Sequence, residues 1–311
     1  MIFNIKGECH MKTKFTILLS FILLFLTACN SNESTPDDKN ESAETVTYES
    51  ENGPIEIPKH PKRIVALSYA PNIHSLGVDM IGVDKWSKEN PLFNEALADV
   101  ETVSEEDIES VLALEPDLII AGTHMKNLEE LEKIAPTVAF TWGKLDYLEQ
   151  QIEIGKIVGK KDEAKEWAAD FETKAAKVGE QVKEKHGEDL SVTMYETNGK
   201  NFYLFGEAWG RGTEIIYQAM DLTMPENVQK EVSEQGYAEI SQEVIPDYAG
   251  DFMILSRYED TDLSFMKDDV WKSIPAVQNK QVIEIDTAAS SYSDPTTLDY
   301  LLDIFQEELT K

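Results

Sequence analysis

Cysteine is nearly absent from this sequence. The chain has two cysteines, Cys9 and Cys29, and both lie close to its N-terminus. The long part of the chain after Cys29 therefore cannot form an internal disulfide or a cysteine-based metal site.

Positive charge is also scarce. The 311 residues include 28 Lys and Arg against 59 Asp and Glu, a formal net charge of −31. A surface that binds nucleic acid or an anionic membrane needs a net supply of cations, so the composition argues against both partners. The three arginines, Arg63, Arg211 and Arg257, are so few that the position of each is informative.

The motifs of common enzyme classes are missing. The sequence contains no Gly-x-Ser-x-Gly elbow, no P-loop and no Gly-x-Gly-x-x-Gly fingerprint. No cysteine nucleophile follows Cys29, and in so acidic a chain paired carboxylates arise by chance. We therefore expect a protein that is not an enzyme and that returns its ligand unchanged.

The N-terminal segment has the pattern of a secretion signal. Lys12 and Lys14 precede the apolar run from Phe15 to Leu26, which is short for a membrane span of ~20 residues. The following Leu-Thr-Ala-Cys tetrad resembles a bacterial lipobox, which predicts a signal peptide over residues 1–28 and a lipid on Cys29. An ordinary secretory signal with an incidental cysteine is the alternative. The polar residues 29–44 predict a disordered tether, and the protein is expected on the extracytoplasmic face of the cell membrane.

Strand-like and helix-like segments alternate in two stretches, residues 45–145 and 188–311. The predicted strands are Arg63–Ser68, Met80–Asp84, Leu118–Ala121 and Thr137–Trp142 in the first, and Ser191–Glu196, Phe252–Leu255 and Gln281–Ile285 in the second. The predicted helices are Glu105–Leu114, Leu128–Ala135, Glu214–Met220 and Pro295–Leu309. Such alternation is typical of α/β lobes with mainly parallel sheets.

Residues 146–187 are expected to link the two lobes through helices. The apolar residues of Asp162–His186 recur at spacings of 4, 3, 4, 3 and 4, which places them on one face of a helix: Ala164, Ala168, Phe171, Ala175, Val178 and Val182. At ~1.5 Å per residue such a helix is nearly 40 Å long, enough to bridge two lobes. A surface helix of a single domain is the alternative.

A glycine-rich segment in the second stretch combines aromatic and basic residues. Asn201–Gly212 (NFYLFGEAWGRG) contains Tyr203, Trp209 and Arg211, with glycines that allow unusual backbone angles and close approach of a ligand. Flat apolar rings beside a planar guanidinium suit a bulky, oxygen-rich, partly apolar ligand. A core tryptophan beside a surface arginine is the structural alternative.

Together, the tetrad at Cys29 and the segments PKRIVALS, IGVDKWS, EPDLIIAG and NFYLFGEAWGRG resemble the helical-backbone (class III) substrate-binding proteins of ABC importers, specifically the iron–hydroxamate group. The resemblance implies an α/β fold of two Rossmann-like lobes with mainly parallel sheets joined by one long α-helix. It also implies that Trp209 packs on a ferric siderophore and that Arg211 hydrogen-bonds its hydroxamate oxygens. Aromatic residues expected in the same cleft are Tyr203, Trp142, Tyr292 and, on weaker grounds, Trp86.

The resemblance further implies partners. Glu109 and Glu243, one in each lobe, correspond to glutamates that form salt bridges with arginines of the ABC permease, which works with its ATPase. Each lies eight residues before an aspartate, Asp117 or Asp251, in matching helix-to-strand units. Two solvated surface glutamates are the alternative. The iron is held by the siderophore, so no intrinsic cofactor is expected, and the protein is expected to be a monomer.

Charge indicates which ligand class the cleft binds. Ferric catecholates are anionic, whereas ferric hydroxamates are neutral or singly positive, and one arginine in a very acidic chain favours the latter. Haem is disfavoured for want of an axial ligand, and cobalamin stays open. A transition-metal site built on His74 and His124 is a rival, but residues 188–311 contain no histidine to complete it.

Overall fold

A computed structural model of the protein describes residues 44–311. The predicted signal peptide (residues 1–28), the lipidated Cys29 and all of the predicted tether except Glu44 lie outside the described residues. Within residues 44–311, no helix combines the length and the apolar composition that crossing a bilayer would require.

The described chain opens with a β-hairpin that the sequence analysis did not predict. Strand β1 (Thr45–Ser50) pairs antiparallel with β2 (Gly53–Pro58). Most residues of the hairpin are exposed or half-buried, so its sequence has no continuous apolar run that would predict a strand. Ile57 is buried and anchors the hairpin to the core of the first lobe.

The first lobe is built on a five-stranded parallel sheet with the strand order β5-β4-β3-β6-β7. The strands are β3 (Ile64–Ala66), β4 (Gly82–Val83), β5 (Glu101–Thr102), β6 (Leu118–Gly122) and β7 (Thr137–Phe140). The helices are α1 (Ala70–Ser75), α2 (Lys85–Glu89), α3 (Ile108–Ala113) and α4 (Leu128–Leu131). The central strands β3 and β6 are buried throughout, as expected where both faces of a parallel sheet are covered.

Two helices join the lobes: α5 (Tyr147–Ile157) and α6 (Lys161–His186). Helix α6 is 26 residues long, and all six apolar positions predicted for its stripe are buried. Near its start, Gly155 of α5 leaves room for the side chain of Ala164. Farther along, Phe171, Val178 and Val182 pack in the core of the second lobe. The prediction of one long linking helix is confirmed.

The second lobe repeats the strand order of the first as β10-β9-β8-β11-β12. Its strands are β8 (Val192–Thr197), β9 (Phe202–Phe205), β10 (Tyr237–Ile240), β11 (Phe252–Arg257) and β12 (Val282–Asp286). Strands β8, β11 and β12 are parallel, whereas β9 and β10 are antiparallel to their neighbours. The short turn between β8 and β9 forms a hairpin, which requires antiparallel pairing. The two-lobed α/β fold is confirmed, with one antiparallel margin.

The second lobe is completed by short helices and one longer helix. These are α7 (Glu226–Val232), α8 (Ile245–Tyr248), α9 (Asp269–Ser273), α10 (Pro275–Gln278), α11 (Thr287–Ser290) and α12 (Pro295–Leu309). Short 3₁₀ turns cover Gln242–Val244 and Ser264–Lys267, and the segment predicted as an α-helix after Arg211 is a π-helical turn, Glu214–Ala219. Helix α12 has the predicted bounds, because Asp294 caps it and Pro295 begins it.

The paired aspartates of the two matching units have the same structural role. Asp117, just before β6, accepts backbone N–H groups of Lys62 and Arg63 at 2.8 and 2.9 Å, which fixes the chain entering β3. Asp251, just before β11, accepts the N–H of Ser191 at 2.8 Å, which fixes the chain entering β8. In each lobe, one carboxylate therefore sets the start of the neighbouring parallel strand.

We expect Gly179→Ala to destabilise the fold. Gly179 lies on α6 where the backbone of Met220 approaches, and a methyl group there would overlap the carbonyl oxygen of Met220. Overpacking of this kind costs about 1–3 kcal/mol, which exceeds the helix-propensity gain of roughly 1 kcal/mol. Urea denaturation should show a lower midpoint, whereas Glu180→Ala, at the exposed next residue, should be nearly neutral. An unchanged midpoint for Gly179→Ala would contradict this packing.

Candidate ligand-binding cleft

A cavity of about 640 Å³ lies between the lobes. On the side of the first lobe, residues that follow the carboxyl ends of its strands line the cavity: Ser68 and Tyr69 after β3, Asp84–Ser87 after β4, Val103–Glu105 after β5, His124 and Met125 after β6, and Trp142 and Gly143 after β7. Ligands of parallel α/β sheets bind at this edge. Helix α5 closes one side, and the second lobe contributes Ala208, Glu214, Gln218, Tyr292 and Ser293.

Aromatic side chains dominate the rim of the cavity. Trp86 at the start of α2 is 74% exposed, and Trp142 beyond β7 is 60% exposed. Large rings left in solvent are unusual and mark binding sites when they border a concave surface. Deeper in the cavity, Tyr69 packs edge-on against Phe140 with ring centroids 5.5 Å apart. The structure thus provides broad apolar area on the side of the first lobe.

Tyr292 faces this rim from the second lobe. It is half-buried, and burial together with the nearby charge of Asp84 raises the pKa of its phenol to about 12. The hydroxyl is therefore protonated at neutral pH and can donate a hydrogen bond to an oxygen-rich ligand. The structure brings Trp86, Trp142 and Tyr292 together on one cavity.

Trp209 is held by the second lobe. Its ring stacks on Phe205 at 6.1 Å, meets Tyr237 edge-on at 4.9 Å and lies against Gly236, where any side chain would collide with it. The backbone N–H of Trp209 donates to Thr213 at 2.9 Å. These contacts fix the ring while leaving it half-buried.

Arg211 lies beside Trp209 in a left-handed stretch of backbone. Gly210, Arg211 and Gly212 have φ of 69°, 55° and 82°, which explains the flanking glycines. The Arg211 Nε donates to Glu196 at 2.7 Å, and the guanidinium lies 4.9 Å from the centre of the Phe205 ring. Tyr203 is paired with Glu196 across β8 and β9, so it belongs to the same cluster.

The sequence-predicted site residues therefore form two groups. Trp86, Trp142 and Tyr292 line the cavity, whereas Tyr203, Trp209 and Arg211 form a cluster on the second lobe that, among the described residues, is not part of the cavity wall. The two groups adjoin: Ala208 lines the cavity, and the Arg211 N–H donates to the carbonyl oxygen of Ser290 at 2.7 Å, two residues before Tyr292. Contact of either group with a ligand stays a prediction.

Glu214 is a cavity-wall residue that the sequence analysis missed. Its carboxyl is 4% exposed and accepts hydrogen bonds from the N–H of Gly210 at 3.0 Å and from the Ser293 hydroxyl at 2.8 Å. Burial raises the pKa of this carboxyl, although its hydrogen bonds oppose the rise. Glu214 thus ties the Trp209–Arg211 segment to the Tyr292–Ser293 segment. The adjacent glycines, Gly210 and Gly212, were the available signal in the sequence.

Charge around the cavity is mainly negative. Asp84, Glu105 and Asp146 line it, together with Glu214, whose pKa is raised by burial, and Lys85 is the one lysine or arginine of the described wall. Asp84 and Asp146 also cap α2 and α5, which gives both carboxylates a structural role. The cavity therefore disfavours a strongly anionic ligand.

The two histidines of the rival metal site contact different residues. His124 lines the cavity and packs against Gly122, whereas His74 in α1 meets Phe93 edge-on at 6.0 Å. Within residues 44–311, no group of three or more His, Cys, Asp or Glu side chains is arranged to hold a metal ion.

Glu109 and Glu243 are both exposed, each at the beginning of a helical segment. Glu109 lies in the first turn of α3, and Glu243 lies in the 3₁₀ turn Gln242–Val244. Hydrogen bonds from its own backbone N–H and from Ser241 lower the pKa of Glu243, so it is ionised at neutral pH. Both are available to a partner.

Comparison with known proteins decides the family. The sequence pattern of the periplasmic binding protein family matches residues 67–289, which is most of the chain. The chain belongs to this family. Its relatives include the iron(3+)-hydroxamate-binding protein FhuD of Bacillus subtilis (strain 168), 35% identical over 300 residues that span 93% of this chain and 95% of FhuD.

Solved structures of the family share the fold. The FhuD protein from S. pseudintermedius is 38% identical with a TM-score of 0.78, over 86% of this chain and 98% of that one. FhuD2 from Staphylococcus aureus with bound ferrioxamine B is 34% identical with a TM-score of 0.76, over 80% of this chain and 98% of that one. The match therefore extends over nearly the whole of each of these two solved chains.

We expect Asp294→Asn to remove a pH-dependent loss of stability. Asp294 is 1% exposed, and burial raises its pKa from the ordinary 3.8 to about 6 although Thr296 and Thr297 donate to it. A raised folded-state pKa stabilises the fold below about pH 4, and this stability is lost as the pH rises through about 6. Asn keeps the capping oxygen without titrating.

The Asn variant should therefore exceed the wild type in stability at pH 7 by on the order of 3 kcal/mol and match it near pH 4. Urea denaturation of both proteins at the two pH values measures this. An equal difference at both pH values would contradict the raised pKa of Asp294.

Proposed function

We propose that this protein captures ferric hydroxamate siderophores outside the cytoplasm and delivers them to an ABC permease for iron uptake. The observation that carries the proposal is the aromatic cavity of about 640 Å³ between two lobes of the FhuD fold. Its volume is in the range of cavities that enclose small organic ligands. The relatives named for iron(3+)-hydroxamate binding, and the homologous structure with ferrioxamine B, support this ligand class.

The charges of the cavity support hydroxamates over catecholates. Four carboxyl groups line the described wall, and the nearby Arg211 is already paired with Glu196. A highly anionic ferric catecholate would meet repulsion there, whereas a neutral or singly positive complex would not. The protein binds and releases this cargo, and the proposal assigns it no catalytic step.

Arg211 is proposed to contact the iron-coordinating oxygens. Its Nε donates to Glu196 and its Nη1 to the carbonyl oxygen of Trp209, while Nη2 has no hydrogen-bond partner among residues 44–311. A planar guanidinium held by two bonds offers the remaining donor in a fixed direction. Trp209 beside it supplies apolar surface for the ligand backbone.

Delivery is proposed to use Glu109 and Glu243 as docking groups for arginines of the permease. They occur once in each lobe, in units whose aspartates have equivalent structural roles. A lipid on Cys29 would hold the protein at the membrane near that permease, and the names of two relatives, YhfQ and YfiY of Bacillus subtilis (strain 168), include the word lipoprotein.

Arg211→Ala should weaken binding of ferrioxamine B by about ten- to a hundredfold, because a hydrogen bond to a charged group contributes roughly 1.5–3 kcal/mol. Quenching of intrinsic tryptophan fluorescence during titration measures the affinity, since Trp86 and Trp142 border the cavity. Iron-free siderophore, a ferric catecholate and zinc serve as parallel titrants. A response to catecholate or zinc in place of ferrioxamine B would overturn the ligand class.

Arg257→Ala is the matched control for this variant. Arg257 also forms an ion pair with a glutamate of the second lobe, Glu284 at 2.6 Å. Arg211 lies three residues from the cavity-wall residues Ala208 and Glu214, whereas no residue of the described wall lies within three positions of Arg257. Its loss should leave the affinity for ferrioxamine B unchanged, as should Lys185→Ala. Equal losses in Arg211→Ala and Arg257→Ala would remove the ligand role of Arg211.

The double variant Glu109→Ala, Glu243→Ala should abolish uptake of ferrioxamine-bound iron while its affinity for ferrioxamine B stays intact. Both side chains are exposed and outside the described cavity wall, so docking alone should suffer. Uptake of labelled iron is measured in cells whose wild-type protein is replaced by the variant. Glu132→Ala with Glu234→Ala, another exposed pair with one member in each lobe, is the control. Reduced affinity, or normal uptake, would count against docking.

A further inference from the structure

One row of side chains crosses three strands of the second sheet. Glu239 on β10 is paired with Tyr203 on β9, and Tyr203 is paired with Glu196 on β8. Directly opposed residues of antiparallel strands project from the same face of a sheet, with their Cβ atoms about 4.5–5.5 Å apart. The Tyr203 side chain therefore lies between two glutamates on one face of the sheet.

A row of aromatic residues lies beside it on the same face. Tyr237 of β10 is paired with Phe205 of β9. Each is two residues along its strand from the first row, and alternate residues of a strand project from the same face. Trp209 extends the aromatic row, because its ring stacks on Phe205 and meets Tyr237 edge-on.

The two glutamates of the first row differ in their partners. Glu196 accepts a hydrogen bond from Arg211 at 2.7 Å, and the same guanidinium lies 4.9 Å from the centre of the Phe205 ring. At that end of the row, one cation thus contacts both a carboxylate and an aromatic ring. At the other end, Glu239 is exposed and has no ion pair or hydrogen bond with the side chains of residues 44–311, and the neighbouring Tyr237 is 37% exposed. No cation of the described residues lies between this second carboxylate and its aromatic neighbour.

This end of the row is close to the proposed position of the ligand. Trp209 and Arg211 are proposed to contact the siderophore, and the ring centroids of Tyr237 and Trp209 are 4.9 Å apart. Glu239 is two strands away from Glu196, a distance of about 10 Å at the usual spacing of strands. Both Tyr237 and Glu239 are exposed, so a flexible arm of a ligand bound at Arg211 can reach them.

We propose that Tyr237 and Glu239 form a subsite for a positively charged arm of the bound siderophore, such as a primary ammonium group. A carboxylate attracts such a group by its charge, and the face of an aromatic ring attracts it through the ring quadrupole. Ferrioxamine B has an arm of this kind, an alkyl chain that ends in an amine, outside its iron-binding hydroxamates. The inference rests on the proposed function and deepens it, because it names a part of the ligand that is recognised apart from the iron centre.

Acetylation of that amine gives a matched probe. N-acetyl ferrioxamine B keeps the iron, the hydroxamates and the alkyl arm but lacks the positive charge. Titration of intrinsic tryptophan fluorescence measures the affinity for each ferric complex. We expect the wild type to bind ferrioxamine B more tightly than the acetylated complex. Glu239→Gln should reduce this preference by about three- to tenfold, through weaker binding of ferrioxamine B alone.

Glu259→Gln is the matched control, because it removes the same charge from the same lobe. Glu259 is exposed and follows β11, which is separated from β10 by β8 and β9. This variant should keep the preference of the wild type, since the net charge of the protein is the same in the two variants. Glu239→Lys, which reverses the charge, should weaken binding of ferrioxamine B further than Glu239→Gln does.

The outcomes separate this inference from the proposed function. Wild type that binds the two complexes equally, or Glu239→Gln that keeps the full preference, would overturn the subsite and leave the proposed function standing. Equal losses for both complexes in Glu239→Gln would also overturn it, because the acetylated complex has no charged arm. A preference reduced equally in Glu239→Gln and Glu259→Gln would show general attraction by an acidic protein in place of a subsite. Wild type that binds neither ferric complex would overturn both.

Discussion

The burial of helix α6 against both lobes is the constraint on which the cleft depends. At its start α6 packs on α5, whose Ile154 and Ile157 belong to the core of the first lobe, and from Phe171 onward it packs in the core of the second. Bending this helix would expose side chains in two cores at once. The packing of α5 and α6 therefore holds the two lobes at the distance that leaves the cavity between them.

Within that frame, the two sides of the cleft are built differently. The first lobe presents the carboxyl ends of parallel strands, so its aromatic and acidic residues come from successive short loops. The second lobe instead folds one glycine-rich segment back over β9 and fixes it through Glu214, which contacts both Gly210 and Ser293. The first lobe gives apolar area, and the second holds the Arg211 guanidinium through Glu196 and the carbonyl oxygen of Trp209. The proposed cargo, a chelate that is apolar outside and oxygen-rich at its metal, would use both.

Much of this architecture could be predicted from the sequence, because it depends on local patterns. The apolar stripe of α6 and the bounds of α12 followed from spacing and capping residues. The antiparallel margin of the second sheet could not be predicted, since β9 and β10 are short and their direction depends on a turn. Glu214 was missed for another reason: in a chain with 59 acidic residues, a single glutamate resembles a solvated surface residue. Its burial arises only when the segment around Gly210 meets the distant segment around Ser293.

The acidic wall of the cavity has a consequence for the speed of capture. Carboxylates recessed between low-dielectric lobes concentrate their field at the opening, which enriches a positively charged complex there and raises the rate of encounter. At physiological ionic strength the field reaches about 8 Å into solvent, so the gain in encounter rate is confined to the opening of the cavity. At lower ionic strength the field reaches farther into solvent, so the gain in the rate of encounter becomes larger.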